Sequence, residues 1–110
     1  MIVLSLFDGM SCGQLALQRA GIPVTKYYAS EIDKNAIKLT QHHFPETIQL
    51  SDVKNVSKEN IAEWHIDLLM WGSPCQGFSN AGKMRGFKDD RSQLFFDFIR
   101  ILKELKPKWF

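Results

Sequence analysis

The chain has 110 residues, 45% hydrophobic and 24% charged, with 14 Lys and Arg against 12 Asp and Glu for a net charge of +2. That length and balance fit one small globular domain with a single core, exclude a two-domain or low-complexity protein, and permit a nucleic-acid partner without demanding one. Two cysteines without CxxC spacing give neither a disulfide framework nor a zinc signature, the amino terminus has no basic region ahead of its apolar run, and no stretch reaches membrane-spanning length; a cytoplasmic protein with no metal and no membrane association is expected.

Ile2 to Phe7 is an apolar run with β-branched residues and reads as a buried strand. Asp8-Gly9-Met10-Ser11-Cys12-Gly13 follows as a turn, then a helix through Ala20 in which Ser11 is the expected cap, Leu15, Ala16 and Ala20 face the sheet, and Gly21 and Pro23 give the stop. The glycine spacing is not GxGxxG, so the dinucleotide fingerprint fails. A Gly-relaxed turn at a helix amino terminus still suits an anionic group such as a carboxylate, with a plain tight turn as the competing reading.

Tyr27 to Ser30 reads as the second strand. Glu31 at its end stands about 20 residues beyond the first glycines, where α/β nucleotide sites accept hydrogen bonds from ribose hydroxyls. Asp33 is placed to cap a helix from Lys34 to His43 that ends before Pro45. His42 and His43 are adjacent and read as solvated residues near a helix end, not as metal ligands. Thr47 to Leu50 is a short third strand followed by Ser51-Asp52-Val53, where Asp52 reads as a turn residue or a ligand contact. Ser57 is expected to cap a short helix through Trp64, with Glu59 solvated, and Ile66 to Trp71 reads as a fourth, buried strand.

Past that strand comes Gly72-Ser73-Pro74-Cys75-Gln76-Gly77-Phe78-Ser79. Pro74 restricts the backbone on both sides of itself, and Gly72 and Gly77 permit a tight path, so the Cys75 thiol is presented just beyond a strand's carboxyl end. A free cysteine is often a small buried hydrophobe, but Cys75 stands in a polar, Gly-containing loop, which favours a reactive thiol. The loop continues through Lys83, Arg85, Lys88 and Arg91, basic residues that either meet phosphates or are simply solvated, and Asp89 and Asp90 precede a helix as capping and dipole residues. That helix, Ser92 to Leu105, repeats Leu94, Phe95, Phe98, Ile99, Leu102 and Leu105 at helical spacing; after Pro107, Lys108-Trp109-Phe110 opens a further strand.

Pro74-Cys75-Gln76 with the following Phe78-Ser79 resembles the nucleophile motif of the cytosine-5 DNA methyltransferases. Phe7-Asp8-Gly9 is similar to that family's first motif in a variant where Ser11 replaces the second glycine and Gly13 follows two places later, and Arg91 with Leu94-Phe95 resembles its fifth motif. The resemblance runs from Leu4 to Phe110 and implies a doubly wound, mostly parallel α/β sheet of the Rossmann-like S-adenosylmethionine-dependent methyltransferase kind, in strand order 3-2-1-4. It implies that Phe7, Asp8, Gly9, Ser11, Cys12 and Gly13 form the S-adenosylmethionine turn, and that Glu31 meets the ribose. Asp52 would hold the adenine amine, with Ile32 and Val53 on the ring faces and Pro74 and Leu94 lining the pocket. Cys75 would be the nucleophile toward cytosine, and Gln76, Ser79, Lys83, Arg85, Lys88 and Arg91 would meet DNA.

The family's Glu-Asn-Val motif follows the Cys loop. The similar Glu59-Asn60-Ile61 precedes it and is a decoy, and the later motifs and the target-recognition domain have no counterpart in the 110 residues. The chain is therefore expected to be the amino-terminal part of a methyltransferase domain, inactive alone and prone to self-associate through its open edge. An RNA cytosine methyltransferase, from a tRNA-modifying branch that shares Pro-Cys-Gln, and a non-catalytic cofactor-binding fragment are the alternatives.

Overall fold

The computed structural model describes residues 1–61, 65–72 and 94–110. Four parallel strands lie in the order β3-β2-β1-β4: β1 is Ile2–Leu6, β2 Lys26–Ser30, β3 Ile48–Gln49 and β4 Leu68–Trp71. Register pairs Leu4 with Tyr28 on one side and with Leu69 on the other, so the middle of β1 is flanked by apolar neighbours. The expected fold class and strand order hold. Trp109 extends the sheet past β4 through a parallel bridge to Leu68, with its N–H donating to Asp67 O at 2.9 Å and its C=O accepting from Leu69 N at 2.9 Å. The expected fifth strand thus begins where the sequence places it.

Strand alternation divides the interior in two. Leu4, Leu6, Tyr28 and Leu69 point to a main core completed by Val53, Val56, Ile61, Ile66, Phe98 and Ile101. Val3, Tyr27 and Ala29 point to the other face, with Leu17. Right-handed crossovers account for this division, because β1 to β2 to β3 steps one way across the sheet and β3 to β4 returns the other way, sending its connection to the opposite face.

Helix α1 spans Cys12–Arg19, α2 Lys34–His43 and α3 Leu94–Leu105. Asp33 caps α2 as expected, its carboxylate accepting from Asn35 N and Ala36 N at 2.9 and 3.3 Å. At the end of α1, Gly21 takes φ +73°, Ile22 N donates to Leu17 O and Gly21 N to Gln18 O, a Schellman stop. Where α3 crosses the sheet, Phe98 stacks on Trp71 with ring centres 4.1 Å apart and planes 6° from parallel. Arg100 donates to Val56 O at 2.8 Å and Val53 O at 3.2 Å, tying α3 to the chain between β3 and β4.

Three local expectations are corrected. The sheet-facing residues of α1 are Gly13 and Leu17, whereas Leu15, Ala16 and Ala20 are exposed. A side-chain carbon at Gly13 would stand 2.4 Å from Met70 Cε, so the helix packs closest where it has no side chain, and that contact sets its rotation. Ser11 occupies the cap position of α1 but makes no side-chain cap; its hydroxyl turns back to Asp8. Between β3 and β4 the chain forms two 3₁₀ turns, Val53–Asn55 and Lys58–Asn60, with no α-helix among its described residues, and the Ser57 hydroxyl bonds Asn60 Oδ1 without capping. Glu59 is exposed as expected. Among the described residues no helix is long and apolar enough to cross a membrane.

Candidate functional site

The carboxyl ends of the parallel strands converge on one edge of the sheet, the place where open α/β sheets hold ligands. β1 ends in Phe7-Asp8-Gly9, β2 in Glu31-Ile32, β3 in Ser51-Asp52 and β4 in Gly72. The backbone there is strained in a concentrated way. Phe7, Ser11 and Ser51 all take positive φ, at 55°, 66° and 64°, a conformation that side-chain-bearing residues adopt at a cost of order 1–3 kcal/mol.

Glu31 is the organiser of this edge. Its Oε1 accepts from Gly9 N at 2.8 Å, and its Oε2 from Ile32 N and Asp33 N at 3.0 Å each. The first contact joins the turn after β1 to the end of β2 across 22 residues. Asp8 N adds a bond to Ser30 O, and Thr40 Oγ1 reaches Gly9 O at 3.4 Å from a fully buried position on α2. Gly9 itself, at φ +62°, has no heavy atom of the described residues beyond its chain neighbours within 4 Å of where a side chain would begin, so none of them covers the backbone there.

Behind the turn lies a polar network that sequence reasoning did not find. Asp8 Oδ1 accepts from the Tyr27 hydroxyl at 2.7 Å, Asp8 Oδ2 accepts from Ser11 Oγ, and Gln14 Nε2 links Ser11 Oγ at 3.3 Å to Thr47 Oγ1 at 3.0 Å. Burial, with the Asp8 charge beside it, pushes the Tyr27 phenol far above its ordinary pKa, so the hydroxyl stays a donor. The available signal was chemical: a tyrosine in a buried strand needs a partner for its hydroxyl, and Asp8 follows the adjacent strand.

The other expected cofactor residues are spread along the same edge. Ile32 is 70% exposed beside Glu31, whereas Val53 is 4% exposed and belongs to the main core. Asp52 caps the first 3₁₀ turn through Lys54 N at 2.9 Å. Cys12 is exposed in the first turn of α1, Gly13 is pressed against β4, and Leu94 packs half-buried on the main core. Pro74, Cys75, Gln76, Ser79, Lys83, Arg85, Lys88 and Arg91 lie outside the described residues. Among the described residues no group of three His, Cys, Asp or Glu could hold a metal.

The family model for C-5 cytosine-specific DNA methylase matches residues 1–110. The chain belongs to that family. As a member, it is 42% identical over 110 residues to the orphan methyltransferase M.SPRI of Bacillus phage SPR, covering 98% of this chain and 25% of the relative. It is 39% identical over 111 residues to the type II methyltransferase M.NgoPII of Neisseria gonorrhoeae, covering 100% of this chain and 32% of the relative. Among solved structures, a Spodoptera frugiperda DNMT2 mutant superposes with a TM-score of 0.72 at 29% identity, over 94% of this chain and 31% of that one. The S. pombe Dnmt2 methyltransferase gives 0.70 over 96% and 30%, at 20% identity, and shares the fold. This member of the family thus spans a quarter to a third of the length of these relatives.

Proposed function

We propose that the chain is the cofactor-binding and nucleophile-bearing part of a DNA cytosine-5 methyltransferase that uses S-adenosylmethionine. The observation that carries the reading is the family match over all 110 residues, joined to a sheet edge on which Glu31 and the bare turn at Gly9 stand together. The residues fit the cofactor. A carboxylate offers about four lone-pair sites, so Glu31, with three N–H groups bound, keeps capacity for a ribose hydroxyl. The Cys12 and Gly13 N–H groups open α1 ahead of its first ladder bonds, which Gln14 N and Leu15 N make to Ser11 O, and suit a carboxylate, and exposed Ile32 offers an apolar face to an adenine ring. Asp52 would meet the adenine amine, with Pro74 and Leu94 along the pocket.

When bound, S-adenosylmethionine supplies an electrophilic methyl group. Cytosine C5 is a poor nucleophile, and Cys75 answers this by adding as thiolate to C6, which places an electron pair at C5 as in an enamine. C5 takes the methyl with that pair, then gives up its proton, and the pair so released expels the thiolate and restores the ring. The base must leave the duplex to meet the thiol, and Gln76, Ser79, Lys83, Arg85, Lys88 and Arg91 would hold the DNA around it. Holding the flipped base and stabilising its N3 side need groups beyond these 110 residues, so the segment alone is expected to be inactive. It is also expected to self-associate beside β4, where Trp109 and Phe110 are 59% and 79% exposed; a monomer across a wide concentration range in light scattering would contradict this.

The test of function is methyl transfer by a complete enzyme carrying this segment, assayed on duplex DNA and on tRNA. Transfer to DNA cytosine supports the proposal, and transfer to RNA alone would replace it with the RNA-directed reading.

A further inference from the structure

We infer that Asp8 is a positioning residue, clamped between the Tyr27 and Ser11 hydroxyls, that holds Ser11 in its left-handed conformation and thereby sets the amino-terminal end of α1. This rests on the proposed cofactor reading in one respect only, namely what the set helix end is for.

Ser11 is 1% exposed and takes φ 66°, ψ 38°, a region in which an ordinary side chain is disfavoured. Glycine adopts this conformation freely. A serine needs something to hold it there. Residue 8 grips residue 11 twice, Asp8 O accepting from Ser11 N at 3.1 Å while Asp8 Oδ2 accepts from Ser11 Oγ. Tyr27 then fixes the carboxylate from the far side through Oδ1 at 2.7 Å. Both oxygens are held from within the protein, one by Tyr27 and one by Ser11, and the Asp8 side chain acts on the turn through Ser11.

That influence has a defined route. Ser11 O accepts from both Gln14 N at 3.1 Å and Leu15 N at 3.2 Å, so its carbonyl starts the α1 hydrogen-bond ladder. If Ser11 leaves its conformation, that carbonyl swings away, and the first N–H groups of the helix lose their aim. The clamp therefore does with a carboxylate and a tyrosine what a glycine would do through lack of a side chain, and Gly13, two places on, serves packing against Met70 instead.

The experiment compares the protein with Asp8→Ala, Tyr27→Phe, Ser11→Gly and the double variant Asp8→Ala/Ser11→Gly. Two readouts are taken: affinity for S-adenosylhomocysteine by calorimetry, and hydrogen exchange at the Gln14 and Leu15 amides. Tyr27→Phe keeps the ring and removes only the hydroxyl. The expected result is a loss of affinity of roughly five- to tenfold for Asp8→Ala and Tyr27→Phe, with faster exchange at both amides. Measured against Ser11→Gly, the double variant should show little of the Asp8→Ala defect, because glycine needs no clamp. A direct Asp8 contact with the ligand predicts otherwise: Tyr27→Phe would bind normally and Ser11→Gly would rescue nothing, which overturns the inference. If the parent protein itself fails to bind, the cofactor reading falls, and exchange alone decides the clamp; Gln14 and Leu15 amides unchanged in Asp8→Ala and Tyr27→Phe would overturn it.

Discussion

Replacing Glu31 with alanine removes the acceptor for three backbone N–H groups at once. The bond from Gly9 N is partly buried and joins two strands' ends, and a hydrogen bond to a charged group contributes about 1.5 kcal/mol or more in such a place. The bonds from Ile32 N and Asp33 N are local and exposed, closer to the lower end of capping contributions, together about 0.5–1 kcal/mol. Glu31→Ala should therefore cost about 2 kcal/mol, which for a domain of this size lowers the melting temperature by about 8 °C. Glu31→Gln keeps one acceptor oxygen and should cost about half as much. Thermal unfolding followed by circular dichroism at neutral pH measures both. Calorimetry with S-adenosylhomocysteine, at a temperature where all forms are folded, should then show weaker binding by Glu31→Ala beyond what its stability explains. A melting temperature within about 1 °C of the parent for Glu31→Ala would refute the view that this carboxylate ties the β1 turn to the end of β2.

A side-chain carbon at Gly13 would stand 2.4 Å from Met70 Cε, the free end of a flexible side chain that can turn aside, so Gly13→Ala should change stability by less than about 1 kcal/mol, the cost of moving Met70 offsetting most of a helix-propensity gain of about 1 kcal/mol. In a Met70→Ala background the same change should be more stabilising, and urea denaturation of all four forms checks it; equal stabilisation in both backgrounds would deny the close approach. Asp67 carries a pH dependence. The Ile2 N–H donating to it at 2.7 Å, helped by His65, the amino terminus and Lys108, holds its carboxyl below the ordinary value, so its stabilisation is present in full above about pH 4 and is lost as the pH falls through the lowered folded value. The stability difference between the protein and Asp67→Asn should be flat from neutrality to about pH 5 and shrink below about pH 4; a difference that grows on acidification would contradict the sign.

Much of this architecture was legible because local signals agreed. Asp33 ahead of Lys34 marked the start of α2, and short apolar runs marked β1, β2 and β4. An acid at the end of the second strand marked Glu31, though as a ribose ligand, without its hold on the Gly9 turn. The rotation of α1 was misread for a physical reason. Leu15, Ala16, Leu17 and Ala20 spread apolar carbon over more than half the circumference of a short helix, and the buried face is the one that carries Leu17 and the close-packed Gly13, which has no side chain to announce itself. The Asp8, Ser11 and Tyr27 cluster was invisible for a related reason: Ser11 meets Asp8 through a left-handed turn, and Tyr27, 19 residues from Asp8, is brought there by the pairing of β1 with β2. The stretch after β3 has few apolar residues at helical spacing, and its described part settles into 3₁₀ turns held by Arg100 from α3.

Cys75 is proposed as the nucleophile toward cytosine, and trapping the covalent intermediate is the decisive experiment. A complete enzyme carrying this segment is incubated with S-adenosylmethionine and DNA containing 5-fluorocytosine, whose fluorine cannot leave C5 as a proton does, and the products are resolved on a denaturing gel. A serine hydroxyl is hardly ionised near neutral pH and is a far poorer nucleophile than a thiolate. A covalent protein–DNA adduct is expected with Cys75 present and none with Cys75→Ser; an adduct formed equally well by Cys75→Ser would rule out Cys75 as the nucleophile.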